Sequence, residues 1–178
     1  MPTHIALLRG VNVGGNLLKM ERLRELCAEL DFHNVRTYVQ SGNVIFESAG
    51  FRAQCLQRLK AKLAGETRLP VAVILRTASD LRRILDENPF LKKRGIDHSK
   101  LHVTFLDGSA AKTAAQILSK VDAGDDEFRM AGMEIYLHCP NGYGLTKLSN
   151  TRIEKLLSVT ATTRNWNTVN KLFEMASA

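Results

Sequence analysis

Apolar positions along this chain of 178 residues follow two different periods. Continuous or alternating apolar runs mark strands, and spacing at i, i+3, i+4, i+7 marks helices. Residues 4–9 read as a buried strand. Leu23, Leu26, Cys27 and Leu30 then recur at helical spacing and predict an amphipathic helix over 19–31. Segments 35–38 and 43–47 are rich in β-branched and aromatic residues. Gln40-Ser41-Gly42-Asn43 lies between them with turn chemistry, which predicts a hairpin or a sharply bent strand pair. Cys55, Leu56, Leu59 and Leu63 predict a second helix, with Ser48 as its cap and Gly65 at its end. Val71-Ala-Val-Ile-Leu75 is nearly all apolar and predicts a strand over 71–76. The order is βαββαβ, the ferredoxin-like order.

Thr77 and Asp80 can form a capping box for a third helix bearing Leu81, Ile84 and Leu85, which Asn88-Pro89 stops. The basic run Lys92-Lys93-Arg94-Gly95 reads as a joint, so the expected units are 1–95 and 96–178. The pattern then restarts. His102-Val-Thr-Phe-Leu-Asp-Gly108 echoes His4-Ile-Ala-Leu-Leu-Arg-Gly10. A helix follows with Ala114, Ile117, Leu118 and Val121 inward. Segments 125–130 and 133–139 predict a hairpin turning at Ala131-Gly132. Ile135, Leu137 and Cys139 fall on one face of its second strand, and Glu134, Tyr136 and His138 on the other. Thr151 and Glu154 predict a boxed helix, and Trp166, Val169, Leu172 and Phe173 a last one. The second unit therefore reads βαββα plus a helix, a partial copy of the first. The expected class is α+β: two ferredoxin-like units with antiparallel or mixed sheets and helices packed on them. The first helix opens further from its strand than its counterpart does, and the added length is a glycine-rich loop. An insertion at one place in a repeated scaffold points to function more than to packing.

Composition narrows the classes. No apolar run approaches the roughly 20 residues of a membrane span, and the N-terminus lacks the pattern of a signal peptide. The expectation is a cytoplasmic protein without membrane contact. Three cysteines, Cys27, Cys55 and Cys139, are too few and too odd in number for a disulfide framework. Net charge is +7, and residues 1–95 hold all of the excess, with 16 Lys+Arg against 9 Asp+Glu. A basic half suits an anionic partner: nucleotide, nucleic acid or phosphorylated metabolite. Plain solubility accounts for the same charge.

The glycine loop, Arg9-Gly-Val-Asn12-Val-Gly14-Gly15-Asn16-Leu-Leu-Lys19, is the first candidate site. Glycines let backbone amides approach a ligand closely. It is no P-loop, because Asn16 and Leu17 stand where the phosphate-gripping Lys and the magnesium-binding Ser/Thr would be. A looser anion site would use the loop amides, the helix N-terminus, Arg9 and Lys19. Gln40 and Asn43 of the hairpin turn join this set. A second polar stretch offers Asn141, Tyr143, Lys147 and Asn150, and a third, 162–167, offers Arg164 and Asn165 beside the single tryptophan. These segments open helices, where partial positive charge and free amides gather. Ordinary helix capping explains the same asparagines and serines. Trp166 has the spacing of a core residue, and stacking on a base is its sharper alternative. An RNA-recognition surface would need exposed aromatics, for which Tyr38, Phe46 and Tyr136 are the candidates. No nucleophile has a recognisable context, the five histidines are scattered, and no metal-ligand spacing appears. No cofactor is implied and no catalytic residue is named.

Longer motifs point to a family. Leu7-Leu-Arg-Gly-Val-Asn-Val-Gly-Gly-Asn16, Tyr38-Val-Gln-Ser-Gly-Asn-Val-Ile-Phe46, Asn88-Pro-Phe90, Glu134-Ile-Tyr-Leu-His-Cys-Pro-Asn-Gly-Tyr-Gly144, Thr146-Lys-Leu-Ser-Asn150 and Thr163-Arg-Asn-Trp-Asn-Thr-Val169 span nearly the whole chain. Over them the sequence resembles a bacterial family known as domain of unknown function 1697 (DUF1697). The resemblance implies a cytoplasmic α+β protein of two ferredoxin-like halves, and it carries over no activity. Three functional readings stand at this point. The first is binding of a phosphate-bearing ligand at the glycine loop. The second is an enzyme on a small anionic metabolite, with Arg9, Lys19 and Lys147 as orienting groups. The third is an interaction module without a small ligand.

Overall fold

The computed structural model describes residues 1–178. The chain forms two compact units, Met1–Arg82 with Leu172–Ala178, and Arg83–Lys171. The basic segment 92–95 lies inside the second.

In the first unit the order is β1 (Thr3–Arg9), α1 (Met20–Ala28), β2 (His33–Tyr38), β3 (Asn43–Glu47), α2 (Arg52–Ala64) and β4 (Ala72–Thr77). The strands lie in the order β2-β3-β1-β4, all neighbours antiparallel. Central β1 is apolar without alternation because both of its faces are buried: Ile5, Ala6, Leu7 and Leu8 are all at 0% exposure. Its Ala6 and Leu8, with Val44, Phe46, Val73 and Leu75, form one core with Leu23, Leu26 and Cys27 of α1 and Cys55, Leu59 and Leu63 of α2. Phe32 stacks on Phe46 with ring centroids 4.2 Å apart. Each buried Leu or Phe stabilises by about 1.5–3 kcal/mol, so this face holds the unit together. On the solvent side Arg22 pairs with Glu25, Glu29 and Glu66. Such exposed pairs contribute little, because water screens them.

Helix α3 (Ala78–Asp86) follows β4 directly. Its box forms as expected: Thr77 N donates to Asp80 Oδ2 at 2.8 Å, and Asp80 N to Thr77 Oγ1 at 3.2 Å. Ser48 does not cap α2. Its hydroxyl accepts from Gly50 N at 3.2 Å, and the helix opens after Phe51.

The second unit contains β5 (Leu101–Leu106), α4 (Ala114–Ser119), β6 (Glu127–Ala131), β7 (Glu134–His138), α5 (Asn150–Leu157) and β8 (Ala161–Asn165), and α6 (Trp166–Ser177) begins in it. Strand order is β6-β7-β5-β8, again antiparallel, which repeats the topology of the first sheet. The copy is therefore complete rather than partial. The missing strand is β8, which the sequence presents as a polar segment. Its threonines are β-branched and suit a strand, and Thr163 bonds Thr104 of β5 through their hydroxyls at 2.7 Å. Ser149 rather than Thr151 occupies the cap of α5 and accepts from Arg152 N at 3.4 Å. Glu154 instead reaches forward and accepts from Ala161 N at 2.9 Å, fixing the start of β8.

The two faces of β7 divide as its alternation predicts. Ile135, Leu137 and Cys139 enter the core with Leu106, Leu118, Leu148 and Ile153. On the opposite face Tyr136 donates its hydroxyl to Ile84 O at 3.0 Å, and fully buried Glu134 pairs with Arg83 at 2.9 Å. All three cysteines are reduced and buried.

Candidate functional site

The glycine loop occupies residues 10–19 between β1 and α1, against residues 107–113 between β5 and α4. Its shape is set by two asparagine side chains. Asn12 donates to Leu18 O at 3.0 Å and to Gln40 O at 2.7 Å, and accepts from Leu18 N at 2.9 Å. Asn16, buried to 2% exposure, donates to Gly10 O at 2.7 Å and to Leu69 O at 3.3 Å, and accepts from Leu69 N at 3.4 Å. Asn12 N also donates to Asn16 O, and Asn16 N to Val13 O, closing the loop on itself. Three segments distant in sequence, the loop, the β2–β3 turn and the approach to β4, are thereby tied into one end of the first unit.

The β2–β3 turn is built for close approach. Gly42 has φ +85, and a Cβ there would meet Val11 Cγ2 at 2.6 Å and Leu8 Cβ at 2.9 Å. Buried Asn43 donates to Tyr38 O at 2.8 Å and to Ser41 Oγ at 3.1 Å.

The candidate residues of this unit thus split. Asn12, Asn16 and Asn43 spend their side chains on the loop and turn. Gly14, Gly15, Lys19 and Gln40 face solvent, and Arg9 is half-buried. The amides of Val13, Gly14 and Gly15 donate to no acceptor within the chain. Helix α1 opens at Lys19 with no side chain capping it. What the loop presents is therefore backbone donors, a helix N-terminus and cations.

In the second unit Asn141 donates to Asp125 Oδ2 at 3.3 Å. Asn141 and Lys147 open on a groove lined also by Asp122, Asp125 and Asp126. Three carboxylates there set a negative potential, which disfavours a phosphate. Tyr143 stacks on His102, with centroids 4.9 Å apart. Asn150 accepts from Thr163 Oγ1 at 2.7 Å, and Asn165 accepts from Thr168 N at 2.8 Å as a cap for α6. Arg164 is buried and donates to Thr162 Oγ1 and Thr163 O, and burial lowers its pKa to about 10.

Trp166, Phe46 and Tyr136 are buried, so base stacking on them is ruled out and only half-buried Tyr38 remains of the aromatic set. No three His, Cys, Asp or Glu side chains are placed to hold a metal. The charge asymmetry also shrinks. The first unit holds 12 Lys+Arg against 8 Asp+Glu and the second 13 against 10, because Arg83 and the basic segment 92–94 belong to the second. What the sequence reading missed is apolar: Val13, Leu17, Val39 and Leu69 are all exposed at the loop end. Val13 and Leu17 sit outside any helical or strand period, and that was the available signal.

Two βαββαβ units with identical strand order define a two-unit α+β protein with six helices and two antiparallel sheets. The model of the family described as "Protein of unknown function (DUF1697)" matches residues 1–136, and the chain belongs to that family. A conserved bacterial protein from Streptococcus pneumoniae has a similar solved structure, with a TM-score of 0.81 at 22% identity over 100% of this chain and 99% of its own. That likeness concerns the fold. No curated protein matches the chain. No helix is long and apolar enough to cross a membrane.

Proposed function

We propose that the glycine loop of the first unit binds a phosphate-bearing ligand, with nucleotides and nucleic acid as its soluble carriers. One observation carries this reading: the hydrogen bonds of Asn12 and Asn16 set the loop's shape while the amides of residues 13–15 are left without internal acceptors. Preformed backbone donors bind anions at little ordering cost. The uncapped start of α1 adds its partial positive charge, and Arg9 and Lys19 supply full charges. Half-buried Tyr38 offers a base at most a partial platform here, so recognition rests on the phosphate.

The test is a thermal-shift screen of nucleotides, phosphorylated metabolites and short RNA or DNA. A ligand at 100 times its dissociation constant stabilises by about 2.7 kcal/mol, which is readily seen. Lys19→Ala should weaken that shift without changing the melting temperature of the free protein. A nucleic-acid partner would show binding that falls steeply with salt. Indifference to every soluble phosphate compound would remove nucleotides and nucleic acid as its ligands and leave the loop end as an interaction surface.

A further inference from the structure

We infer that the loop end of the first unit docks onto an anionic phospholipid surface. This rests on the phosphate reading of the glycine loop and names the carrier of that phosphate. Four aliphatic side chains stand out there: Leu17 at 79% exposure, Val13 at 61%, Leu69 at 53% and Val39 at 48%. They lie on the three segments that Asn12 and Asn16 tie together, through Gln40 O beside Val39 and through Leu69 itself. The apolar tips therefore share one end of the unit. A free nucleotide gives such tips nothing to bury them. A nucleic acid would call for flat rings on which bases stack, and all four side chains are aliphatic.

A bilayer interface matches both parts of the surface. Aliphatic tips enter the boundary between headgroups and acyl chains, while cations remain at headgroup level. Lys19 and Arg68 are exposed and form no ion pair, so both are open to the negative surface potential of an anionic leaflet. Of the acids near this end, Glu66 is paired with Arg22 at 2.6 Å, and exposed Glu21 in the first turn of α1 offsets one of the cations. The amides of residues 13–15 then meet headgroup phosphate oxygens. Because the asparagines fix the loop beforehand, the tips are placed before contact. Docking of this kind is peripheral and needs no spanning helix. A Leu whose surface is four-fifths free projects from the protein, which suits insertion into a fluid interface better than capture of a peptide, where a groove would be expected.

The test is co-sedimentation of the full chain with phosphatidylcholine vesicles, with and without phosphatidylserine. Binding should require the anionic lipid and weaken with salt. Leu17→Ser should lower partitioning about ten-fold, the effect of withdrawing one buried leucine. Its melting temperature should match that of the parent, because Leu17 makes little contact with the core. Lys19→Ala with Arg68→Ala should reduce binding to anionic vesicles only. Absence of binding to anionic vesicles, or binding that Leu17→Ser leaves unchanged, overturns the inference. If vesicles fail while a nucleotide or inorganic phosphate still raises the melting temperature, the lipid is wrong and the phosphate reading stands. If vesicles bind with the expected Leu17 dependence and no soluble phosphate shifts the protein, the docking stands and the soluble carriers fall away. Binding to an acidic protein in place of vesicles also overturns it.

Discussion

Asn12 donates its side-chain amide to the carbonyl of Gln40 at 2.7 Å, across a separation of 28 residues. The same side chain closes two bonds with Leu18. One residue thus sets the loop's shape and fastens it to the hairpin turn. It does so with φ +56, a left-handed conformation that asparagine tolerates better than most residues. Asn12→Ala should cost about 2 kcal/mol, from lost hydrogen bonds and backbone strain together. Asn12→Gly should recover only the strain part. Urea denaturation of the three proteins measures both, and equal stability of parent and Asn12→Ala would show that the bonds contribute nothing.

Gly42 and Gly14 separate two reasons for glycine. At Gly42 an added methyl group collides with Val11 and Leu8 and the backbone is left-handed, so Gly42→Ala should lose roughly 3 kcal/mol. At Gly14, φ is +56 and nothing lies within 4 Å of the added carbon. Gly14→Ala should therefore cost only about 1 kcal/mol of strain. If the phosphate reading holds, it should also weaken ligand binding, because the tip amides turn with the backbone. Comparable destabilisation by both substitutions would contradict the packing account of Gly42.

Sequence pattern alone reveals much of this fold, and for a physical reason. β1 is buried on both faces, so its run of apolar residues needs no partner to be recognised. β8 is different. Thr162 and Thr163 look like loop residues until Thr104 and Asn150 are seen to satisfy Thr163. The glycine loop was visible as a motif, but the work of its residues was not. Asn16 bonds Leu69, 53 positions away, and a contact of that range leaves no local trace. Side chains that look like ligand donors in the sequence are here the struts, and the donors left over are backbone amides, which no residue letter displays.

The cysteines make a test of native burial. Burial pushes the Cys27 thiol up to about 12 and that of Cys139 to about 11, and Cys55 is equally enclosed, its Sγ donating to Ser48 Oγ at 3.4 Å. A buried, protonated thiol is a poor nucleophile. A disulfide reagent should therefore leave the folded protein unmodified and titrate all three thiols after denaturation without reductant. Rapid reaction of any thiol in the folded state, or a count of one after denaturation, would refute this.

His4 makes the stability depend on pH. It is buried to 3% exposure with its ring 5.3 Å from that of Phe46, and neither ring nitrogen has a hydrogen-bond partner. Burial, and secondarily the nearby Arg52 guanidinium, hold its pKa below the ordinary 6.5. His102 is lowered too, mainly by burial. In the unfolded chain both titrate near 6.5. As pH falls past that value the unfolded state takes up protons that the folded state refuses, so stability declines with acidity in this window. The decline ends once the folded-state pKa values are reached and both states are protonated. The denaturation midpoint should therefore drop between about pH 7.5 and pH 5.5. Replacing the ring with an apolar group, His4→Leu, should flatten the part of the slope that His4 contributes and leave that of His102. A slope identical in parent and His4→Leu would show that His4 is not held neutral in the folded protein.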